Sequence, residues 1–278
     1  MSRITLLACC LLSVAAAAVA ETPANLSAEQ VIEKNIAARG GLAAWRAVQS
    51  VTLEGKLDAG GTEEHLLPFT LKLKRPHKSR LEIVFKDQTS VQVYDGTQGW
   101  KVRPFLNRGD VEPLTAAELK SAAADDELDG PLVDYAAKGT KVSLAGTDKV
   151  EGHPAYRLRL TSSSGVQRNL WIDANTFLET KIDGEPRILD GKPHKVSIYY
   201  RDFQTDHGLA TPRLLETAVE GVKATHKMQI SKVTVNDKLD DALFQKPKPV
   251  PVVAPGLNLA PPSAPAPAPA SAAAATKP

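Results

Sequence analysis

Residues 156–181 contain three short runs in which apolar and polar side chains alternate, and this pattern limits what the chain can fold into. Leu158 and Leu160 alternate with arginines and a threonine in the first run, which is the period of a strand with one apolar face. Leu170 and Ile172 mark the second run, and Ser-Gly and Asp-Ala-Asn clusters separate the runs. Three consecutive strands joined by tight turns predict an antiparallel meander.

The same alternation recurs on both sides of this stretch. Strand-like runs precede it at 51–57, 69–73, 81–85, 91–93, 99–102, 141–144 and 146–150. Others follow it at 196–200, 212–219 and 228–235. No strand–helix–strand rhythm favours a parallel sheet. The sequence therefore predicts a mainly β fold with few helices (α+β), in which about eleven strands form an antiparallel meander curled into an unclosed half-barrel.

A single amphipathic helix is predicted in front of the strands. Ser27 fits an N-cap, and Gln30 stands at the capping-box position three residues later. Gly40-Gly41 is expected to end the helix.

The alternation stops between residues 104 and 139. Asn107 to Asp110 is predicted to be loop, while Thr115 and Glu118 predict the cap of a helix over 116–124. Long insertions of this kind are often lids or rim elements. We therefore expect both helical segments to lie over the mouth of the sheet, with the insertion as a lid.

Both ends of the chain differ from this central part. Arg3, an apolar run and Ala18-Val19-Ala20 predict a signal peptide over 1–20, cleaved after Ala20, and hence an exported protein. The alternative is a lipid-anchored form, since residues 6–9 resemble a lipobox, but the apolar region before Cys9 is short. Both cysteines lie in this leader, so the mature chain is predicted to have no disulfide.

The C-terminal end, residues 246–278, is rich in proline and alanine. This composition predicts a disordered, extended tail, or alternatively a spacer or docking arm. Residues 21–245 remain as one β domain. The 34 lysines and arginines include Arg3 and three in the tail, which leaves 30 against 32 acids, so nucleic acid is not an expected partner.

No residue pattern predicts catalysis, a metal or a cofactor. The six histidines are dispersed, and the acids at 125–129 lack the alternating spacing of a calcium loop. No nucleophile elbow, phosphate-binding loop or dinucleotide glycine motif is present. The expected class is therefore a binding protein rather than an enzyme, and no cofactor is expected.

The apolar sides of the strands supply the candidate binding surface, because one helix and one insertion cannot fill the concave side of so long a sheet. Each of these residues could instead belong to a dry core. Acidic and basic residues that alternate with them, such as Glu82, Lys101, Arg157 and Arg159, are predicted to form a solvated convex face. The candidate cavity residues are Phe69, Leu71, Leu73, Leu81, Ile83, Phe85, Val91, Val93, Trp100, Leu158, Leu160, Leu170 and Ile172.

Several short motifs, in this order, resemble the periplasmic outer-membrane lipoprotein-sorting proteins with the Lol-type lipoprotein carrier fold. The likeness covers most of residues 24–247. The motifs are Lys74-Arg75-Pro76, Arg80-Leu81-Glu82, Tyr94-Asp95-Gly96, Gly99-Trp100, Asp129 to Tyr135, Leu170 to Asp173, Tyr200 to Phe203 and Leu239 to Phe244.

This resemblance implies an unclosed β-barrel with a helical lid and an apolar cavity that takes lipid or lipoprotein acyl chains. The corresponding hypothesis is a periplasmic carrier or chaperone involved in outer-membrane lipoprotein sorting, with envelope membrane proteins as further possible partners. The alternative is a periplasmic interaction scaffold or envelope sensor with the same fold and no lipid transfer.

Overall fold

The structure, a computed structural model, describes residues 25–58, 66–116, 118–119, 122 and 128–252. The predicted leader and residues 253–278 of the predicted tail lie outside the described residues. The helices are α1 (Ala28–Ala38) and α2 (Leu42–Ala47). The strands of the first half are β1 (Ser50–Asp58), β2 (Leu66–Lys74), β3 (Lys78–Phe85), β4 (Gln88–Tyr94), β5 (Gly99–Arg103) and β6 (Arg108–Pro113). Those of the second half are β7 (Lys141–Val150), β8 (His153–Thr161), β9 (Gln167–Asp173), β10 (Glu179–Leu189), β11 (Lys192–Arg201), β12 (Gln204–Asp206), β13 (Leu209–Thr211), β14 (Leu214–Val219) and β15 (His226–Val235).

Within this described part of the chain, thirteen strands form one antiparallel sheet that is not closed into a barrel. The strand order is β6-β5-β4-β3-β2-β1-β15-β14-β11-β10-β9-β8-β7, and β12 and β13 form a separate hairpin. Most neighbours follow each other in sequence, because two-residue and other short turns suffice to join antiparallel strands. The predicted fold class, an unclosed and mainly β meander with few helices, is confirmed.

Helix α1 covers the half of the sheet formed by β8 to β11. The predicted capping box is present: Gln30 N donates to Ser27 Oγ, and Ser27 N donates to the Gln30 side chain at 2.9 Å. Val31 and Ile32 pack against Leu158 and neighbouring apolar side chains of β8 to β11. This contact gives α1 its stability, since an eleven-residue helix is marginal alone.

The other half of the sheet packs against α2 and against the chain that follows the helical insertion. Trp45 and Val48 lie in one apolar cluster with Phe69, Ile83 and Ile230 of the sheet. The indole Nε1 donates to Arg39 O at 3.0 Å, so α2 is fixed to the end of α1 as well as to the sheet. The two halves thus have separate apolar clusters, one under each helix.

The insertion forms a cap over β4 and β5. Thr115 and Glu118 make the predicted capping box, and Leu114 and Ala122 pack on Tyr94. Burial opposes ionisation of Glu118, but hydrogen bonds from Lys101 and from Thr115 outweigh it, so the pKa of Glu118 lies below its ordinary value.

Two predictions about this region are wrong. Residues 107–110 were predicted to be loop, but residues 108–113 form the edge strand β6 because they pair with β5. Lys101 was predicted on the solvated face, but it lies opposite Gln92, which in turn lies opposite Leu81, so it points to the covered face. It is only 7% exposed, and its Nζ lies 2.6 Å from Glu118 Oε2, which compensates the buried charge.

The outer face of β3 to β5 is covered by the chain that leaves β15. A 3-10 turn at Asp241–Phe244, capped by the Asp240 side chain, places Phe244 on Val91 and Val93. Residues 246–252 then run beside β6, where Val250 N donates to Gly109 O at 3.0 Å. A side chain at residue 109 would collide with Val250 O, so this close approach requires glycine.

Candidate ligand-binding cavity

A cavity of about 520 Å³ lies between the covered face of the sheet and the elements that cover it. The end of α1, α2, residues 128–140 and the chain around β13 form its roof. Its size falls within the roughly 300–1,000 Å³ of pockets that hold small organic ligands.

Apolar side chains from seven strands form most of the floor. Opposed residues of an antiparallel pair point to the same face, so the register aligns Leu53 with Leu71 and with Val233. Further floor residues are Val51, Leu73, Leu215, Met228, Ile230 and Val235 in the centre, and Leu160, Ile182 and Ile198 toward β8.

One side of the cavity is polar. Arg39, Lys138 and Arg168 contribute cationic side chains to the lining, and the three serines at 162–164 contribute hydroxyl groups from the turn between β8 and β9. Ser163 and Ser164 are exposed, so this turn lies where the cavity meets solvent.

Asp129 is the centre of the ion-pair network behind this polar side. Its carboxylate accepts from Arg75 Nη2 and from Lys138 Nζ, each at 2.7 Å, and its carbonyl oxygen accepts from Arg39 Nη1 at 2.8 Å. The side chain of Asp129 is 3% exposed. A carboxylate this deeply buried stays charged only with such partners, so the network fixes the roof segment at residue 129 against α1 and β2.

Arg39 is the most enclosed cation of the lining. Its guanidinium stacks 4.3 Å from the centroid of the Trp45 ring, and Nη1 lies 3.4 Å from Glu179 Oε1. Its Nε is buried and has no hydrogen-bond partner in the structure. The close packing holds the positive charge at a fixed place on the cavity wall.

The structure distributes the thirteen sequence-predicted cavity residues over four places, three of them on the covered face of the sheet. Leu71, Leu73 and Leu160 line the cavity. Phe69, Leu81, Ile83 and Phe85 lie on the same face but in the cluster around Trp45. Leu158, Leu170 and Ile172 are fully buried under α1.

Val91, Val93 and Trp100 lie on the opposite face of the sheet. Val91 is opposite Glu82, and Val93 is opposite both Arg80 and Trp100, whereas the cavity face of β3 carries Leu81 and Ile83. The reason is the two-residue turn at Lys86-Asp87, which sets the register of the β3–β4 hairpin. These valines are buried because Phe244 covers them from outside.

Sequence reasoning did not single out the polar side or the floor from β15. The alternation of Met228 and Ile230 is the same signal that identified the other strands, so the sequence could have predicted that β15 contributes to the floor. Arg39 before a glycine pair and Lys138 in the insertion carry no periodic signal. Only the folded chain brings them together at Asp129.

No group of three His, Cys, Asp or Glu side chains among the described residues is placed to hold a metal ion. No described helix is both long and apolar enough to cross a membrane.

The fold is similar to that of several solved structures. A LolA superfamily protein from Nitrosomonas europaea matches with a TM-score of 0.52 and 16% identity, over 80% of this chain and 98% of that one. A DUF1329 family protein from Desulfovibrio piger matches with a TM-score of 0.53 and 15% identity, over 78% and 97%. A putative outer membrane lipoprotein-sorting protein domain from Vibrio parahaemolyticus matches with a TM-score of 0.51 and 13% identity, over 78% and 95%.

At these identities the likeness concerns the fold. The chain has the fold of LolA superfamily and lipoprotein-sorting domain proteins, which confirms the resemblance at that level. No protein-family model matches the sequence, and no curated protein matches it.

Proposed function

We propose that this protein is an exported, periplasmic carrier or chaperone that holds lipid or lipoprotein acyl chains in the cavity, and that it serves outer-membrane lipoprotein sorting. The single observation that carries the proposal is the cavity of about 520 Å³ with an apolar floor on a LolA-like fold. The leader predicted at residues 1–20 and the structural likeness support an envelope location.

The physical case rests on transfer of methylene groups out of water. Each buried methylene of an acyl chain contributes about 0.8 kcal/mol, so the gain rises with the length of chain that the cavity buries.

Native mass spectrometry of the mature protein tests the proposal, because an acyl carrier is expected to retain lipid through purification. Delipidated protein should then bind the neutral apolar dye N-phenyl-1-naphthylamine, and added amphiphiles should displace the dye. Protein that is free of lipid as purified and binds neither dye nor amphiphile would contradict the proposal.

A cavity-filling variant separates cavity binding from surface adsorption. Leu71→Trp places an indole in the cavity and is expected to weaken dye and amphiphile binding by about tenfold or more. Val84→Trp is the matched control. Val84 follows Ile83 in β3, so its side chain points to the face opposite the cavity, where it is exposed. Equal affinities of the two variants would place the binding outside the cavity.

A further inference from the structure

The charged residues of the cavity wall are unequally distributed by sign. Arg39, Lys138 and Arg168 line the cavity, and Glu185 is the one acid among the described lining residues. The carboxylates that compensate the first two cations, Glu179 and Asp129, do not line it.

These carboxylates are deeply buried: Asp129 is 2% exposed and Glu179 is 5% exposed. Arg168 is held in place as well, since its Nε donates to the main-chain oxygen of Asp183 at 2.9 Å. Among the described charged residues that line the cavity, cations therefore outnumber acids by three to one, which favours an anion on this side.

Hydroxyl groups continue the polar side toward solvent. The segment from Lys138 to Thr140 lies directly against the β8–β9 turn, because a side-chain carbon at Gly139 would stand 3.2 Å from Ser163 Cβ. Ser162, Ser163, Ser164 and Thr140 all line the cavity. Their hydroxyl groups offer hydrogen-bond donors beside an apolar floor.

We infer that the cavity selects anionic amphiphiles: a carboxylate or phosphate group bonds to the side formed by Arg39, Lys138, Arg168 and the serine turn, while the chain lies on the apolar floor. The inference rests on the proposed function and adds to it the chemical class of the ligand. Hydrogen bonds between charged groups in a partly dry site are stronger than neutral ones, so the anion adds affinity as well as orientation.

Two ligands with the same chain test it: dodecanoate, which is ionised at about pH 8, and 1-dodecanol. Both are titrated against N-phenyl-1-naphthylamine bound to the full mature protein. Dodecanoate is expected to bind about tenfold more tightly than dodecanol, the usual gain from one charge-assisted hydrogen bond. Equal affinities would overturn the inference and leave the proposed function standing, whereas failure of both ligands to bind would overturn both.

Acetate and inorganic phosphate distinguish an amphiphile site from a simple anion site. Neither is expected to displace the dye or to compete with dodecanoate, because neither can occupy the floor. Displacement of dodecanoate by phosphate at equal concentration would overturn the requirement for a chain.

Single substitutions locate the anion. Arg168→Met and Lys138→Met should each reduce the ratio of dodecanoate affinity to dodecanol affinity several-fold. Arg159→Met is the matched control, because Arg159 is exposed and is opposite Asn169, next to Arg168 on β9 but on the other face. A variant counts as folded when its circular dichroism spectrum and its midpoint of urea unfolding show a folded protein, and an unchanged affinity ratio in both folded cavity variants would overturn the assignment.

Discussion

At the residue scale, the carboxylate of Asp129 is a deeply buried charge with two cationic partners. Arg75 and Lys138 both bond to it from different parts of the chain, so it joins β2 to the roof of the cavity. Its removal would leave two cations in a largely desolvated place. The position thus matters for stability independently of any ligand.

Asp129→Asn is expected to lower the free energy of unfolding by about 2 kcal/mol, because the amide can still accept a hydrogen bond but no longer neutralises either cation. Glu54→Gln is the control: its partner Lys232 is 64% exposed, so the loss should stay below about 0.5 kcal/mol. Urea unfolding of both variants measures the difference. Equal losses would mean that the Asp129 network contributes no more than a surface pair.

A second residue-scale prediction concerns pH. Hydrogen bonds from Lys74 and Lys78 lower the pKa of Asp241 to about 2. The unfolded chain takes up this proton near pH 4, so the contribution of the pair is present above about pH 4 and is lost as pH falls toward 2.

Carboxyl carbon chemical shifts followed by NMR should therefore give a titration midpoint for Asp241 of about 2. In a Lys74→Met, Lys78→Met double variant the midpoint should move up toward its ordinary value of about 4. A wild-type midpoint already near the ordinary value would contradict the bonding seen at this turn.

At the element scale, local sequence signals were reliable where one short segment decides the outcome. The capping boxes at Ser27 and at Thr115 were both predicted and both form, because each depends only on residues three positions apart. Which face of the sheet the apolar side chains of β4 lie on was not predictable in this way. Alternation shows that Val91 and Val93 share a face, but the pairing of β4 with β3 decides which face it is.

The cap of α1 gives an element-scale prediction. Ser27→Ala removes the hydroxyl that accepts from Gln30 N, and it should cost about 1 kcal/mol of unfolding free energy. Glu33→Ala on the exposed side of α1 is the control and should change stability by less than about 0.5 kcal/mol. Chemical denaturation followed by circular dichroism checks both. A Ser27 variant as stable as the wild type would show that packing alone fixes the helix start.

The 3-10 turn that covers β4 gives a second element-scale prediction. Phe244 is 1% exposed on Val91 and Val93, so Phe244→Ala should cost about 3 kcal/mol or more through the cavity it leaves. Val84→Ala, an exposed site on the neighbouring strand, should cost less than about 0.5 kcal/mol. Similar losses of unfolding free energy for the two variants in urea denaturation would show that Phe244 contributes little to stability.

At the scale of the whole molecule, residues 246–252 belong with the sheet. The predicted boundary at 245 lies before this segment, which bonds to β6 at Gly109. An uncovered edge strand pairs readily with another chain. The segment therefore protects one of the two free edges of an unclosed sheet.

Truncations test this role. Removal of residues 246–278 should increase self-association, whereas removal of residues 253–278 should leave self-association unchanged. Light scattering after size-exclusion chromatography compares the two truncations with the full mature chain. Identical behaviour of both truncations would show that the segment at 246–252 is dispensable.

The sequence by itself determined the fold class, most of the strand runs, both helix caps and the absence of a recognisable catalytic motif, because these depend on period and on neighbours a few positions apart. Only the tertiary structure decided which apolar residues meet a cavity. Leu71, Leu158 and Val93 carry the same alternating signal, yet one lines the cavity, one lies beneath α1 and one faces Phe244. The physical reason is that alternation gives each strand two faces, whereas pairing register and the elements packed on each face decide whether a side chain meets a helix, a turn or an open space.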